Sequence, residues 1–339
     1  MILINKWTSD KLNISTNSNN KIDDLRNAAE CHKQVRRKLY DILKPECSYM
    51  DICNTVERET TSLLGNNQKA GIGFPTGISA NDIVAHDSAN PNDKRKISYN
   101  DVIKIDYGTH INGNIIDSAF TVAFNDRYLP LLLATKNATN NAIKMARPGT
   151  HLIDLSETIK ETIESYEIII DGTVYPIKPA TNFGGHNILP YKIHGGKLIF
   201  GDPKFMNKND KIQVDECFAI ETFATTGNPN LIASNKLQTN HYMMKDDFKK
   251  KPFRLRTVKE LYAHINKTYG TLPFTNRWLE NKYPRYKFPL SKLVDDKIIE
   301  KYPPIISTAK HNNIYTSQFE HTIYIHDAYT EILSAGDDY

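Results

Sequence analysis

A helix–proline–helix unit occurs twice in this chain, 103 residues apart, and no other feature restricts the fold as tightly. Lys44-Pro-Glu-Cys-Ser-Tyr-Met-Asp-Ile-Cys-Asn-Thr-Val aligns with Arg147-Pro-Gly-Thr-His-Leu-Ile-Asp-Leu-Ser-Glu-Thr-Ile, pairing Pro45 with Pro148, Asp51 with Asp154, Thr55 with Thr158 and Val56 with Ile159. Proline stops a helix, and a residue such as Ser48 caps the next. The first copy therefore predicts a helix over 22–43 and a second with Ile52, Val56 and Thr60 on one face. The residues downstream of each unit run in parallel: Phe74, His86 and a strand at 103–106, then Phe183, His194 and a strand at 218–221. Two αα-plus-sheet halves indicate an internal duplication and an α+β fold, with a pseudo-two-fold antiparallel sheet flanked by helices.

The sheet of the first half contains an electrostatic problem. Residues 102–124 are rich in β-branched and aromatic side chains, and Asn112-Gly113 between them signals a type I′ turn. With those two residues in the turn, Ile111 opposes Asn114 and Asp106 opposes Ala119. Asp117 then becomes the diagonal neighbour of Asp106 on the same face, roughly 7–8 Å away. Two carboxylates on one apolar face repel and resist ionisation, and a cation between them removes the cost.

The duplication supplies further ligands. It makes Glu221 the counterpart of Asp106 and Glu320 the counterpart of Asp117, and His186 follows paired glycines that allow close approach. Four carboxylates balance two divalent cations. An oxygen-rich set with one imidazole suits Mn²⁺, Fe²⁺, Co²⁺ or Zn²⁺. Between Glu221 and Glu320 lies an extra segment, 240–303, with Val258, Leu261, Tyr262, Ile265 and Tyr269 at helical spacing before Gly270. Shorter helices are expected around Trp278 and Leu293.

Bulk properties narrow the function classes. Of 339 residues 40% are hydrophobic and 24% charged, which is globular composition. The net charge of +4 is dispersed, so nucleic acid is not required as a partner. The four cysteines, Cys31, Cys47, Cys53 and Cys217, form no tight spacing, which fits a reducing compartment and a cytoplasmic protein. No run is long and apolar enough for a signal peptide or a membrane span. Residues 1–21 are aperiodic and read as a short flexible segment, leaving 22–339 as the folded domain.

At these residues the chain resembles the type 2 methionine aminopeptidases of the pita-bread metallopeptidase family. The resemblance runs from about residue 22 to the end. It is carried by Phe74-Pro-Thr-Gly77, Ala85-His86, Lys104-Ile-Asp-Tyr-Gly-Thr-His110, Ile115-Ile-Asp-Ser-Ala-Phe-Thr-Val122, Gly185-His186, Tyr191-Lys-Ile-His-Gly-Gly196, Ala219-Ile-Glu-Thr-Phe223, His241-Tyr-Met243, Tyr302-Pro-Pro304, Gln318-Phe-Glu-His-Thr-Ile323 and Gly336-Asp-Asp-Tyr339. It implies a pita-bread fold with a small helical, winged-helix-like insertion. It implies two divalent cations held by Asp106, Asp117, His186, Glu221 and Glu320, with Glu221 also handling the proton of the attacking water. His86 and His194 would bind near the scissile carbonyl and the leaving amide. Phe74, Ile193, His241 and Tyr302 would line the methionine pocket, and His86 would be the site alkylated by fumagillin-type epoxides.

The implied activity is removal of the initiator methionine from nascent chains by a monomer. Many eukaryotic members carry a long charged N-terminal extension linked to ribosomes. None is seen here, which puts ribosome association by that route in doubt and leaves a transient association as the expectation. Two rivals share the scaffold: an Xaa-Pro peptidase, whose relatives usually add an N-terminal domain, and an inactive binding protein, which typically loses ligands retained here.

Overall fold

The computed structural model describes residues 2–4, 14–16, 20–248, 253–280 and 282–337. Most of the segment 1–21, whose flexibility was expected from sequence, lies outside them, as do residues 249–252 and part of the C-terminal motif.

The first helix, α1 (Lys21–Ile42), is capped by the Asn20 side chain, which accepts from the Ile22 N–H, and carries Asp23 and Asp24 in its first turn. Both features favour the positive end of the helix dipole. The second, α2 (Tyr49–Leu64), starts where Ser48 Oγ accepts from the Asp51 N–H at 3.0 Å. Strand β1 (Ala70–Ala80) pairs antiparallel with β2 (Val102–Ile111), which pairs with β3 (Asn114–Ala123). The turn between β2 and β3 has Asn112 at φ 50° and Gly113 at φ 77°, as a type I′ turn needs. The register is the expected one: Ile111 opposes Asn114 and Asp106 opposes Ala119.

The second copy comprises α3 (Leu129–Met145) and α4 (Leu152–Glu164). The end of α3 and the start of α4 each lie 103 residues beyond the corresponding ends of α1 and α2, so the repeat survives to the residue. The caps differ: His151, where Ser48 stands in the first copy, makes no side-chain cap bond. Strand β4 (Gly184–Ile188) pairs with β5 (Cys217–Thr225).

Next comes a three-stranded antiparallel sheet, which apolar spacing did not reveal: β6 (His241–Met244) flanked by β7 (Phe274–Thr275) and β8 (Ile299–Tyr302). Two-to-four-residue strands joined across long intervals leave no readable alternation. The expected helices accompany it, α5 (Arg256–Thr268), α6 (Asn276–Glu280) and α7 (Lys287–Asp295). Val258, Leu261, Ile265, Phe274 and Leu293 form a separate apolar core there. The chain returns through β9 (Thr316–Ile325), antiparallel to β5.

Two apolar clusters form: α1 and α2 pack mainly against β1–β3, with Ala219 and Phe319 added from β5 and β9, and α3 and α4 pack against the other side of β5 and β9. The two halves join where β3 meets β9, and side-chain hydroxyls bridge the seam. Thr322 Oγ1 accepts from the Asp117 N–H at 2.8 Å and donates to its carbonyl; Ser118 Oγ donates to the Glu320 carbonyl; Thr121 Oγ1 accepts from the Gln318 N–H and donates to its carbonyl. This seam carries Asp117 and Glu320.

Candidate metal centre and pocket

A cavity of about 530 Å³ opens over the seam. Every residue nominated from sequence lines it except Glu320, which is fully buried. One oxygen each from Asp106, Asp117 and Glu320 lie within 4.8 Å of one another. His186 Nε2 completes the ring at 3.5 Å from Asp117 Oδ2 and 3.7 Å from Glu221 Oε1, too long for hydrogen bonds.

Strand geometry explains the convergence. Asp106 and Asp117 share a face of the β2–β3 hairpin, with Asp117 opposite Gly108. Glu221 and Glu320 are direct register partners across β5–β9. The halves are therefore related but not equivalent: one carboxylate pair is diagonal and the other face to face. His186 sits opposite Ala219, two residues before Glu221 on β5.

Burial sets the electrostatics. It pushes Asp106 up to about 6, and it raises Asp117, Glu221 and Glu320 well above the carboxylate range, with the neighbouring acids adding to the rise in all three. The His186 imidazole is driven well below its ordinary value by burial and by His194. Four acids that resist ionising, facing an imidazole with its lone pair available, fit a divalent cation. Asp106 Oδ1 is buried without a hydrogen-bond partner among the described residues, as a metal-directed oxygen would be.

One participant carried no role in the sequence reading. Gln318 Nε2 lies 3.2 Å from Asp106 Oδ2 and 3.1 Å from Glu221 Oε2, so this amide ties the two halves' acids together. Its place two residues before Glu320, on the same strand face, was the available signal.

The rest of the cavity is apolar and aromatic, as a side-chain pocket should be. Phe74 and Ile193 line it, joined by Phe183, Phe223 and Met243, which had no place in the sequence reading as walls. The Phe74 ring lies on Gly108, where an added Cβ would come within 2.3 Å of it, so glycine is required there. His86 stands in the left-handed region at φ 65°, its ring 5.7 Å from that of Tyr302 and 6.1 Å from that of His241. The His194 ring packs edge-on against His186 at 4.6 Å. Burial lowers His86 to about 3 and His241 to about 4, and also lowers His194, so all three are neutral near pH 7.

Residues 23–264 match the sequence profile of metallopeptidase family M24. The chain belongs to that family. It is 43% identical over 328 residues to methionine aminopeptidase 2-2 of Chaetomium globosum, covering 94% of this chain and 73% of that protein. Relatives at this level place it among the type 2 methionine aminopeptidases. Solved structures share the fold at lower identity. A thermophilic Arx1 gives a TM-score of 0.78 at 17% identity, covering 95% of this chain and 92% of that one. A methionine aminopeptidase from Thermotoga maritima gives 0.61 at 18%, covering 95% and 99%. The pita-bread architecture that the resemblance implied is the one these family members have, and its two-fold plan is the one the repeat predicted. Among the described residues, no helix is long and apolar enough to cross a membrane.

Proposed function

We propose that this M24 metallopeptidase removes the initiator methionine from nascent polypeptides, and that its site works through the residues of the cavity. The observation that carries this reading is a buried four-acid, one-histidine cluster at the base of an apolar pocket edged by neutral histidines. Asp106, Asp117, His186, Glu221 and Glu320 would hold two divalent cations, from among Co²⁺, Mn²⁺, Fe²⁺ and Zn²⁺. When bound, such ions anchor the free α-amine, polarise the scissile carbonyl and acidify water.

The chain's own groups do the rest. Phe74, Ile193, His241 and Tyr302 enclose the first side chain and exclude water around it. Glu221, held through Oε2 by Gln318, takes the proton of the attacking water and passes it to the leaving amine. Neutral His86 and His194 each have one N–H to offer, toward the carbonyl oxygen and the leaving amide.

Residues 22–339 form one aminopeptidase domain in this reading, with 240–303 inserted in its last strand pair. The protein acts as a cytoplasmic monomer that meets the ribosome only transiently, and a fumagillin-type epoxide alkylates His86. Release of methionine from Met-Ala-Ser, measured against Asp117→Asn with metal content checked, is the test. Full activity in that variant would overturn the assignment of the site, and a wild type that cleaves only Xaa-Pro peptides would overturn the substrate.

A further inference from the structure

The wall of the pocket formed by His241 and Tyr302 belongs to the inserted segment, while its acids belong to the two halves. Something must fix the insertion against the rest of the chain. Several polar contacts cross that boundary. Lys192 meets Asp246, Gln68 Nε2 donates to the Asn266 carbonyl, and Thr271 Oγ1 donates to the Tyr191 carbonyl. The ion pair is solvated on both sides and contributes little, and the other two are single neutral bonds.

Glu57 on α2 is different. Its carboxylate accepts from three N–H groups of the insertion: Arg277 Nη1 at 3.1 Å, Arg277 Nη2, and Trp278 Nε1 at 2.8 Å. The Arg277 and Glu57 side chains are only 10% and 19% exposed. A bidentate fork with a third donor, largely out of water, fixes direction as well as distance.

The fork leads straight to the pocket. Thr275, two residues before Arg277, is the ladder partner of His241, and His241 is in turn the partner of Tyr302. Asn240 ties the same sheet to the turn after His86: its Nδ2 donates to the Ser88 carbonyl at 3.0 Å, and its Oδ1 lies 2.8 Å from His241 Nδ1. Cys53, one helical turn before Glu57, has its sulfur 3.6 Å from Ser88 Oγ. The α2 surface that holds the insertion therefore also supports the His86 turn.

We propose that Glu57, with Arg277 and Trp278, is a positioning residue for substrate selection. It sets the distance between the His241–Tyr302 wall and the acid cluster, and so the fit of the pocket to the first side chain. This rests on the aminopeptidase reading above. Glu57→Gln keeps the shape but directs an amide N–H toward the guanidinium. KM for Met-Ala-Ser should rise about tenfold while kcat stays within about twofold. The preference for Met-Ala-Ser over Leu-Ala-Ser should narrow, and calorimetric Mn²⁺ binding should not change. Trp278→Phe, which removes one donor of three, should move KM the same way by about threefold if Glu57→Gln fails to fold. Binding of L-methionine should weaken in parallel. That measurement tests the clamp even in a protein that cleaves nothing, whereas an inactive wild type counts against the aminopeptidase reading alone. Unchanged KM, selectivity and methionine affinity in the folded variants would overturn the proposal. So would a loss confined to kcat and Mn²⁺ binding.

Discussion

The two strand pairs that carry the acids reach a similar end by different routes. In β2–β3 a two-residue turn fixes the register, and Asp106 and Asp117 fall diagonally on one face. In β5–β9 the strands meet across the whole insertion, and Glu221 and Glu320 face each other directly. A tight turn makes the first pair a local structure. The second depends on long-range closure and on the hydroxyl seam with β3. The difference also divides labour: the locally closed half contributes two acids, and the open one contributes two acids, the imidazole and the inserted wall.

The largest expected effect tests whether the two pairs form one unit. Asp117→Asn and Glu320→Gln should each reduce methionine release to background and lower Mn²⁺ affinity, read by calorimetry. A variant of either pair with near-native activity would overturn the assignment of the four acids to one site. The next effect is on chemistry alone. His194→Ala should lower kcat by roughly 10²–10³-fold with metal content intact, the scale for losing one preorganised donor.

Stability distinguishes the seam from the turn. Thr322→Val deletes the hydroxyl that both accepts from and donates to Asp117, and denaturant unfolding should show a loss of about 1–3 kcal/mol. Gly113→Ala strains a residue at φ 77° that also abuts the Tyr191 ring, and should cost about 1–2 kcal/mol. If the seam matters more than the turn, the first loss exceeds the second.

The smallest effect is a slope. The folded, metal-free protein holds protons on its four acids above the range where the unfolded chain has released them, so its stability falls as pH rises through their raised pKa values. Above about pH 7.5 the histidines are mostly neutral in both states and no longer oppose this. Bound cations favour the ionised acids, so the stabilisation by Mn²⁺ should grow from pH 6.5 to 8.5 in thermal unfolding scans. A gap that stays constant or narrows would remove the account of four buried acids held protonated without metal.

The hairpin was readable because every determinant is local: Asn112-Gly113 for the turn, β-branched flanks for the strands, and a side-chain period of two for the shared face. The helix pairs were readable because proline and a repeat marked their ends. Gln318 stands inside a recognisable motif yet carried no role, since a neutral amide gains importance only beside acids from another strand. The small sheet around His241 was missed because its strands are too short to show a period. The Glu57 clamp joins residues more than two hundred positions apart, so no window of sequence contains it.

Sequence by itself determined the two-fold plan, the identities of the acids and the face on which Asp106 and Asp117 lie, since turn chemistry and strand period act over a few residues. Tertiary structure decided that Glu221 and Glu320 meet in register, that Gln318 joins the halves, and that an inserted sheet closes the pocket. Those outcomes depend on packing and closure over long separations, where distance in space is independent of distance along the chain.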